Sequence, residues 1–424
     1  MEKLLRRNLY DTATSALDAF PLLVIQGARQ VGKSTFAAQL VANRPHRMFT
    51  LDDDDVRTIL AEDARAFLEQ YPDETVVLDE VQREPKAILA VKAAVDRLRR
   101  PGRFILTGSS DLLHMPGSPD SLVGRSINVT LCGLSQGELA GQVEDFAHWI
   151  RGDSFKPAEV HSSWARQQYV QAILRGGYPE LRTMTDHHRD MWLDTYVLGL
   201  LQRDAQDIRH LSPNRLESVL RLLAANQSGE LVKSRVANQA GVSESSMTNY
   251  LDTLKNLFLV SEVHPWTANL TRREIGRPKA WVTDSAVAAW LSALTEQQLA
   301  PVLANPAIGG LMEGFVASEL AKQLSWSAER ARLFHYRDKT GTEVDLVIEY
   351  ADGRVVLVEV KTTASHPASA FTSLRYFAER LGDRLIAGIV LGTGSEGMTL
   401  GSRLHYLPIS SVWEHPPRGQ GITD

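Results

Sequence analysis

Two glycines, a lysine and a serine stand at a spacing that suits phosphate binding. Gly27, Gly32, Lys33 and Ser34 complete the pattern G-x-x-x-x-G-K-[ST] within GARQVGKST. Glycines allow backbone N–H groups to close around phosphate oxygens, and the N-terminus of a following helix adds partial positive charge. In this pattern the lysine reaches the β- and γ-phosphates and the hydroxyl ligates Mg²⁺. We therefore predict that ATP and Mg²⁺ bind at Gly27, Ala28, Arg29, Gln30, Val31, Gly32, Lys33, Ser34 and Thr35.

An acidic pair at the end of another aliphatic run supplies the second half of such a site. The run TVVLDEVQ carries Asp79 and Glu80. We expect Asp79 to hold Mg²⁺ through water and Glu80 to orient or deprotonate the attacking water, with Lys33 and Glu80 as catalytic residues. A third apolar run, RFILTGSS, contains Thr107. Its hydroxyl could sense the γ-phosphate, and ordinary turn chemistry is the alternative.

A second group of candidate residues lies in GTEVDLVIEYADGRVVLVEVKTT, residues 341–363. Asp345, Glu359 and Lys361 stand there among aliphatic positions. If a three-residue turn, 351–353, joins two strands, Asp345 lies opposite Glu359. That register, unlike the one set by a two-residue turn, separates an aliphatic face from a polar one. The aliphatic face would hold Val344, Leu346, Ile348, Val356, Val358 and Val360, and the polar face Glu343, Asp345, Glu359 and Lys361.

Two carboxylates opposed across a sheet repel each other, so the polar face needs a compensating charge. One interpretation is a divalent-metal site that cuts nucleic acid, with Asp345 and Glu359 as ligands. The other is a solvated face, on which Glu343 and Lys361 form a cross-strand ion pair and the opposed acids face water. The sequence leaves both interpretations open.

These residues require particular secondary structure around them. PLLVIQGARQVGKSTFAAQLVA predicts a strand, a glycine-rich turn and an amphipathic helix. Residues from about 160 to 225 are predicted to be helical, and the helix in SWARQQYVQAILRGGYPEL should stop at Gly176-Gly177. LVKSRVANQAGVSESSMTNYLDTLKNLFLVSEV then predicts two helices, the second capped by Ser243, and a strand.

This last arrangement resembles a winged helix-turn-helix, with TANLTRREIGRPKAW as the wing. Four basic residues cluster in the wing and could touch the phosphates of double-stranded DNA: Arg272, Arg273, Arg277 and Lys279. The second helix is rich in Ser, Thr and Asn rather than Arg. A packing or dimerisation module is therefore the alternative.

The chain as a whole resembles the AAA+-like bacterial and archaeal P-loop ATPases, in the branch with a long C-terminal module of unknown function. The resemblance rests on GARQVGKST, VVLDEVQ, ILTGSS, SLVGR and LCGLSQGEL, and later on GGYPE, RDAQDI, KAWVTDSAVAAWL and MEGFVASEL. It implies that Arg125 in SLVGR acts as an arginine sensor or finger in ATP hydrolysis, with a surface salt bridge as the alternative.

Asp345 followed by Glu359-Val360-Lys361 resembles the core of PD-(D/E)xK nucleases. The resemblance implies that the two acids and a main-chain carbonyl bind Mg²⁺ and that Lys361 helps to activate water. In that family a preceding helix often adds an acid. LMEGFVASELAKQL offers Glu319 for this role, with Glu313 as the other choice.

Together the patterns predict an α/β fold class: a P-loop NTPase parallel sheet, a helical and winged-helix middle, and a C-terminal α/β restriction-endonuclease-like domain. The predicted domains are an AAA+-like P-loop ATPase at 1–155, a helical lid or spacer at 156–225, a winged-helix-like domain at 226–300 and a PD-(D/E)xK nuclease-like domain at 301–424. The predicted function is Mg-dependent ATP hydrolysis coupled to nucleic acid. The alternative is an ATP-dependent switch or scaffold that binds a protein partner and carries an inert nuclease-like domain.

The composition limits these hypotheses. The 424 residues are expected to form about two to four domains. A net charge of −5 excludes a globally basic protein, so any nucleic-acid surface must be a local patch. The single cysteine, Cys132, excludes an internal disulfide framework and fits a cytoplasmic location. No run approaches the roughly 20 apolar residues of a membrane span, and a homo-oligomer or a protein partner stays open.

Overall fold

The computed structural model of the protein describes residues 4–110, 122, 124–267, 276–301, 306–365 and 368–415. Within these residues the strands form three sheets. The strands are β1 Leu22–Gln26, β2 His46–Thr50, β3 Thr75–Asp79, β4 Phe104–Gly108, β5 Ser126–Thr130, β6 Gly229–Glu230, β7 Val260–Val263, β8 Lys279–Val282, β9 Ala331–Arg337, β10 Glu343–Tyr350, β11 Val355–Val360, β12 Leu385–Gly392, β13 Met398–Leu400 and β14 Leu404–Pro408.

The helices are grouped around these sheets. They are α1 Tyr10–Ala19, α2 Lys33–Val41, α3 Asp54–Glu69, α4 Pro85–Arg97, α5 Gln136–Ala140, α6 Phe146–Arg151, α7 Arg166–Arg175, α8 Asp186–Gly199, α9 Ala205–Ile208, α10 Pro213–Ala225, α11 Lys233–Ala240, α12 Glu244–Asn256, α13 Ser285–Leu291, α14 Glu296–Leu299, α15 Ala307–Leu324 and α16 Thr372–Leu381. A π-helical turn, Leu200–Asp204, joins α8 to α9. Over the described part of the chain, no helix combines the length and apolar character that crossing a membrane requires.

The first sheet is parallel throughout and has the order β2-β3-β4-β1-β5. Its central strands β1, β3 and β4 are aliphatic runs that are almost entirely buried, as expected for strands with helices on both faces. Because the strands run in the same direction, the segments at their carboxyl ends meet at one edge of the sheet. This edge gathers the loop 27–32, the Asp79-Glu80 pair and Thr107.

Helices α7 to α12 and a small antiparallel sheet of order β6-β8-β7 follow. Two predictions are confirmed here. Helix α7 ends at Gly176, and Ser243 caps α12 by accepting a hydrogen bond from the Ser246 N–H. Strand β8 is the centre of the small sheet, so Lys279 at its start has a neighbouring strand on each side.

The third sheet has the order β13-β14-β12-β11-β10-β9. Strands β9, β10 and β11 are antiparallel neighbours, whereas β11, β12 and β14 run parallel. Phe315 of α15 belongs to the same hydrophobic cluster as Leu346 and Ile348 on one face. Leu374 and Phe377 of α16 cover the other face. Both faces of the β10–β11 hairpin are therefore buried, and the expected solvated face is not observed.

The β10–β11 hairpin has the predicted register. Leu346 pairs with Val358, and residues 351–353 form the turn, in which Gly353 has a φ of 79°. Glycine adopts this left-handed conformation without the penalty that a Cβ atom brings. When the register is extended by one pair, Asp345 lies opposite Glu359, as the alternation of aliphatic residues predicted.

The predicted aliphatic face is wrong at one position. Val344 packs with Val347 on the α16 side of the sheet, whereas Leu346 packs on the α15 side. The cause is a register shift between Val344 and Val347, where β10 bulges relative to β9. A bulge adds one residue to a strand and reverses the faces of the residues beyond it. Simple alternation along the sequence cannot show this.

The three sheets are joined by contacts rather than by linkers alone. One hydrophobic cluster extends from Leu9 in the N-terminal segment to Trp413 near the end of the described chain. Beyond β7, Pro265 forms a bridge with His335 on β9, the edge strand of the third sheet. The small sheet therefore covers an edge that would otherwise leave backbone groups exposed.

Candidate nucleotide site and C-terminal acidic cluster

The loop 27–32 joins β1 to α2, whose first residue is Lys33. The loop lies against the segment that follows β5, because a Cβ atom on Gly27 would stand 2.1 Å from Leu131 O. A backbone carbonyl cannot move aside as a flexible side chain can, so only glycine fits at this position. The loop leads directly into the N-terminus of α2, where free N–H groups favour an anion.

Lys33 is only 4% exposed. Its ammonium donates hydrogen bonds to Gly27 O at 3.2 Å and to Ala28 O at 3.0 Å. Both acceptors belong to the loop itself. The positive charge is therefore held within the loop that the sequence predicted to bind phosphates.

Ser34 and Asp79 meet across the ends of neighbouring elements. Ser34 Oγ donates to Asp79 Oδ2 at 2.8 Å, and Thr107 Oγ1 donates to Asp79 Oδ1. Thr107 is fully buried and also accepts from the Glu80 N–H at 3.2 Å. One threonine hydroxyl therefore positions both members of the acidic pair, which is a more specific arrangement than the turn contact considered as the alternative.

The Glu80 side chain is held by two neighbours. Glu80 has a left-handed φ of 56°, a conformation that costs a non-glycine residue about 1 kcal/mol or more. Its Oε2 atom accepts from Gln82 Nε2 and from Ser109 Oγ, the latter at 3.1 Å. The sequence analysis did not assign Gln82 a role. Its position two residues after the acidic pair was the available signal.

Arg125 lies at the opposite edge of the first sheet. It precedes β5, and Ser126 pairs with Leu22 at the start of β1, whereas the loop 27–32 follows the end of β1. The Arg125 guanidinium forms an ion pair with Asp96 at 2.6 Å. A full strand length thus separates Arg125 from the loop of its own chain, and the ion pair with Asp96 is the kind of contact considered as the alternative. Its role as an arginine sensor or finger stays a prediction.

Two residues from outside the sheet contact the loop. Tyr196 on α8 donates from Oη to Arg29 O at 2.8 Å, and the same oxygen can accept from Tyr178 Oη, 3.0 Å away. Arg7, near the N-terminus, donates to Val31 O at 3.1 Å. The sequence analysis missed both residues, since each contact joins positions far apart in the chain and no local motif contains them.

Lys279 lies at the centre of a second polar cluster. Its Nζ atom is 2.7 Å from Glu313 Oε1, 2.9 Å from Glu343 Oε1 and 3.6 Å from Asp345 Oδ1. The Lys279 side chain is 3% exposed. Burial acts to lower the pKa of Lys279, but the charges of the three carboxylates outweigh burial and raise that pKa. The lysine therefore stays charged inside the protein.

One ammonium cannot neutralise three carboxylates. Burial and the charge of Asp345 raise the pKa of Glu313 to about 8, despite the opposing effect of Lys279. For Glu343, burial acts in the same direction, but Lys279 and Arg337 lower its pKa. As the pH falls, Glu313 is therefore expected to bind a proton before Glu343 does.

The predicted trio of Asp345, Glu359 and Lys361 is only partly assembled. Lys361 Nζ and Glu359 Oε2 form an ion pair at 2.8 Å, while Asp345 Oδ2 accepts from the Val360 N–H at 2.8 Å. Burial, followed by the charge of Asp345, raises the pKa of Glu359 to about 7. Asp345 and Glu359 are 8% and 6% exposed, so neither faces water. The alternative pair of Glu343 with Lys361 is also wrong, because Glu343 contacts Lys279.

Glu319, the first choice for the helical acid, is not part of this cluster. It is fully buried, and its carboxylate accepts from Gln136 N at 2.8 Å and from Lys322 Nζ at 2.7 Å. Glu313, the second choice, is the residue that reaches Asp345. Because the two acids stand six positions apart on α15, they point in directions about 120° apart at roughly 100° per residue.

The acidic cluster does not fit a metal ion in this arrangement. Among the residues that the structure describes, no group of three or more His, Cys, Asp and Glu side chains is placed to hold a metal. Lys279 Nζ stands between Glu313 and Glu343, at bonding distance from both. The prediction that Asp345 and Glu359 ligate a metal is thus not supported by the positions of their carboxylates.

The wing is only partly visible. Arg272 and Arg273 lie outside the described residues. The exposed Arg277 accepts a hydrogen bond at its carbonyl from His335 Nε2, at 3.1 Å. Lys279 was predicted to contact phosphates, and this prediction is wrong because Lys279 opens a central strand and is buried.

Comparison with known proteins divides the chain into three matched segments. Residues 19–140 match an AAA domain, residues 166–298 a Domain of unknown function (DUF8612) and residues 308–412 a Domain of unknown function (DUF4143). The chain is 28% identical to the uncharacterized proteins Rv2008c of Mycobacterium tuberculosis and Mb2031c of Mycobacterium bovis, over 85% of this chain and 74% of each relative. It also resembles the Walker-type ATPase PABY2304 of Pyrococcus abyssi, with a TM-score of 0.44 and 17% identity over 68% of this chain and 95% of that one. The match of residues 19–140 to an AAA domain supports ATP binding.

Proposed function

We propose that the protein binds ATP and hydrolyses it with the help of Mg²⁺. The observation that carries this proposal is the contact of Ser34 Oγ with Asp79 Oδ2, 2.8 Å apart beside the Lys33 loop. Mg²⁺ prefers oxygen ligands and usually takes only one or two carboxylates from a protein. A hydroxyl next to a single carboxylate therefore fits this ion.

Each residue of the site has a distinct role in the proposal. The backbone of 27–32 and the N-terminus of α2 bind the phosphates, and Lys33 balances their charge. Mg²⁺, held by Ser34 and through water by Asp79, would neutralise charge that develops on phosphate oxygens. Glu80 accepts a proton from the attacking water. Thr107 holds the acidic pair in place.

Phosphate release from ATP tests this proposal. We expect turnover with Mg²⁺ and none with EDTA. Ser34→Ala and Asp79→Asn should each lose turnover, because each removes a ligand oxygen, whereas the exposed Ser154→Ala should not change it. Full turnover in EDTA or in the Asp79→Asn variant would refute the proposal.

For the C-terminal half we propose a scaffold that binds a protein partner under the control of ATP and does not cut nucleic acid. Lys279 in the acidic cluster favours this use, because it takes the space between the carboxylates. Helix α15 links the two halves: Lys322 Nζ donates to Leu134 O at 3.0 Å, and Glu319 accepts from Gln136 N. That segment follows Leu131, which touches the nucleotide loop at Gly27. Cleavage of DNA or RNA that depends on Asp345 would argue against this use.

Contact with nucleic acid is a second candidate, and one observation favours it. Helix α11 ends at Ala240 and α12 begins at Glu244, so a three-residue turn that starts with Gly241 joins them. Such turns are typical of helix-turn-helix units. We therefore retain a winged-helix assignment, with double-stranded DNA as the ligand, as a proposal for the α10–β8 region.

Fluorescence anisotropy with double-stranded DNA tests this second candidate. Affinity should fall steeply as salt increases, because phosphate contacts release counterions. The double variant Arg272→Ala/Arg273→Ala should weaken binding to all sequences alike. Salt-insensitive binding, or an unchanged affinity in the double variant, would reject the wing as a phosphate contact.

The predicted division of the chain also stands as a proposal. Each of the three sheets lies within one of the ranges 1–155, 226–300 and 301–424, and the helical range 156–225 contains no strand among its described residues. The order of α15, the strands β9 to β11, α16 and β12 supports a nuclease-like fold for the last range. This supports the fold alone and not a cutting activity.

A further inference from the structure

Lys279 belongs to the small sheet, but its side chain contacts acidic residues of the third sheet and of α15. It begins β8 of the small sheet, whereas Glu343 and Asp345 belong to β10 and Glu313 to α15. Its three carboxylate partners lie 2.7, 2.9 and 3.6 Å from Nζ. A cation surrounded by several carboxylate oxygens in a buried place is also the arrangement that divalent ions adopt in proteins.

We infer that Lys279 is a built-in cation that takes the place of a divalent metal in the acidic cluster and keeps the cluster closed to Mg²⁺ and Mn²⁺. The wild-type C-terminal sheet should then bind neither ion through Asp345. Removal of the ammonium should leave three carboxylates with only the Arg337–Glu343 ion pair, 3.3 Å, as a counter-charge among the described residues, and a divalent ion should enter.

The backbone that carries Lys279 is fixed beside the cluster. Residue 279 pairs with Glu230 on β6 and with Val263 on β7, so the strand around it is held on both sides. Trp281, two residues further along β8, donates from Nε1 to Ser318 Oγ on α15 at 2.9 Å. The strand is thus tied to the same helix that carries Glu313.

Electrostatics also disfavours an exchange of lysine for metal in the wild-type protein. A charge that is already buried among opposite charges is costly to separate from them, because its partners would be left buried and unpaired. A metal ion would have to displace the ammonium while the strand that carries the lysine stayed between β6 and β7. A lysine with only a packing role would not produce a metal site when it is replaced.

The test is a titration of nucleotide-free protein with Mn²⁺. Calorimetry and the shift in melting temperature measure the binding. The variants are Lys279→Met, which keeps length and removes charge, Asp345→Asn, and the two changes combined. We expect no Asp345-dependent Mn²⁺ binding in the wild type. Lys279→Met should gain one site, with Mn²⁺ affinity raised by about tenfold or more, and the combined variant should lose that site.

Two results would overturn the inference. The first is wild-type binding of Mn²⁺ that Asp345→Asn abolishes, since the cluster would then be open despite the lysine. The second is a folded Lys279→Met protein that gains no site. If Lys279→Met does not fold without metal, folding that requires Mn²⁺ supports the inference. In that event Lys279→Gln, which keeps a hydrogen-bond donor, serves as the second variant with the same expected gain.

Discussion

Asp345 accepts a hydrogen bond from the backbone N–H of Val360, with 2.8 Å between Oδ2 and N. The bond lies where β10 bulges relative to β9, and it links the Asp345 side chain to the backbone of the neighbouring strand β11. Relief of repulsion with Glu359, taken alone, would make Asp345→Ala stabilise the fold by about a few tenths of a kcal/mol. The contact with Val360 indicates the opposite effect.

We predict that Asp345→Ala lowers the melting temperature. The change leaves a buried N–H group without its acceptor, which costs about 1–3 kcal/mol. Asp345→Asn keeps a carbonyl oxygen that can accept from Val360, so it should cost less than the alanine variant. Thermal unfolding followed by circular dichroism compares the two. An alanine variant as stable as the wild type would show that the Val360 bond contributes little.

Lys33→Ala should abolish ATP hydrolysis and weaken ATP binding. The substitution removes the charge that the loop holds through Gly27 O and Ala28 O. Turnover and calorimetric ATP titration measure the two effects. Lys156→Ala, an exposed lysine with 61% side-chain accessibility, is the matched control and should behave as the wild type. Normal turnover in the Lys33→Ala protein would end the assignment of this loop.

Glu80→Gln should keep ATP binding and stop turnover. Glutamine preserves the size of the side chain, and its contacts with Gln82 and Ser109 can be retained, but it cannot take a proton from water. The exposed Glu62→Gln is the control for the same chemical change. Loss of ATP binding in a folded Glu80→Gln protein would mean that the acid serves the nucleotide rather than the water.

Tyr196→Phe should weaken ATP binding by about two- to tenfold, because it removes a hydrogen bond worth roughly 0.5–1.5 kcal/mol to the loop carbonyl of Arg29. Tyr178→Phe is the matched control. It removes the other hydroxyl of the pair but leaves the bond to Arg29, so ATP affinity should change less. Equal losses in both variants would indicate a general packing effect of this aromatic pair.

Glu144→Gln should flatten the dependence of stability on pH. Glu144 is 1% exposed and accepts hydrogen bonds from Ser135 and Asn8. Burial raises its pKa from 4.5 to about 8; the Ser135 bond opposes this, and the charges of Glu319 and Glu138 add to it. Since the folded state binds the proton more tightly, this contribution is complete below pH 4.5 and is lost as the pH rises through about 8.

Melting temperatures at about pH 5.5 and about pH 8.5 measure this effect. The wild type should lose more stability between the two values than Glu144→Gln does. Glu62→Gln again provides the control, because it neutralises an exposed carboxylate. Parallel profiles for the wild type and Glu144→Gln would show that the Glu144 carboxyl does not titrate in this range.

Predictions from the sequence were most accurate where one contiguous motif determines the chemistry. Gly27 to Ser34 lie on one loop and the first turn of the helix that follows it, and the acids lie on the next strand but one. Parallel pairing therefore suffices to bring them together. The hairpin register was also predictable, because only one turn length separates the aliphatic residues. Neither prediction required knowledge of distant contacts.

The errors arose where a residue's partners are far away in the chain. Lys279 follows Arg272, Arg273 and Arg277 in the sequence and was assigned with them to the wing, but the strands on both sides bury it. Glu319 and Glu313 could not be distinguished without knowing which side of α15 faces the sheet.

Helix α15 spans 18 residues, about 27 Å. Near its start Glu313 meets Lys279, and near its end Glu319 and Gln323 accept from the backbone N–H groups of Gln136 and Phe146. A genetic crossover between these segments would pair a helix with a loop that had not been selected together, at a cost of about 1–3 kcal/mol for each buried donor left unpaired. The two halves should therefore be inherited as one unit, and substitutions in this helix should be accompanied by substitutions in residues 134–146.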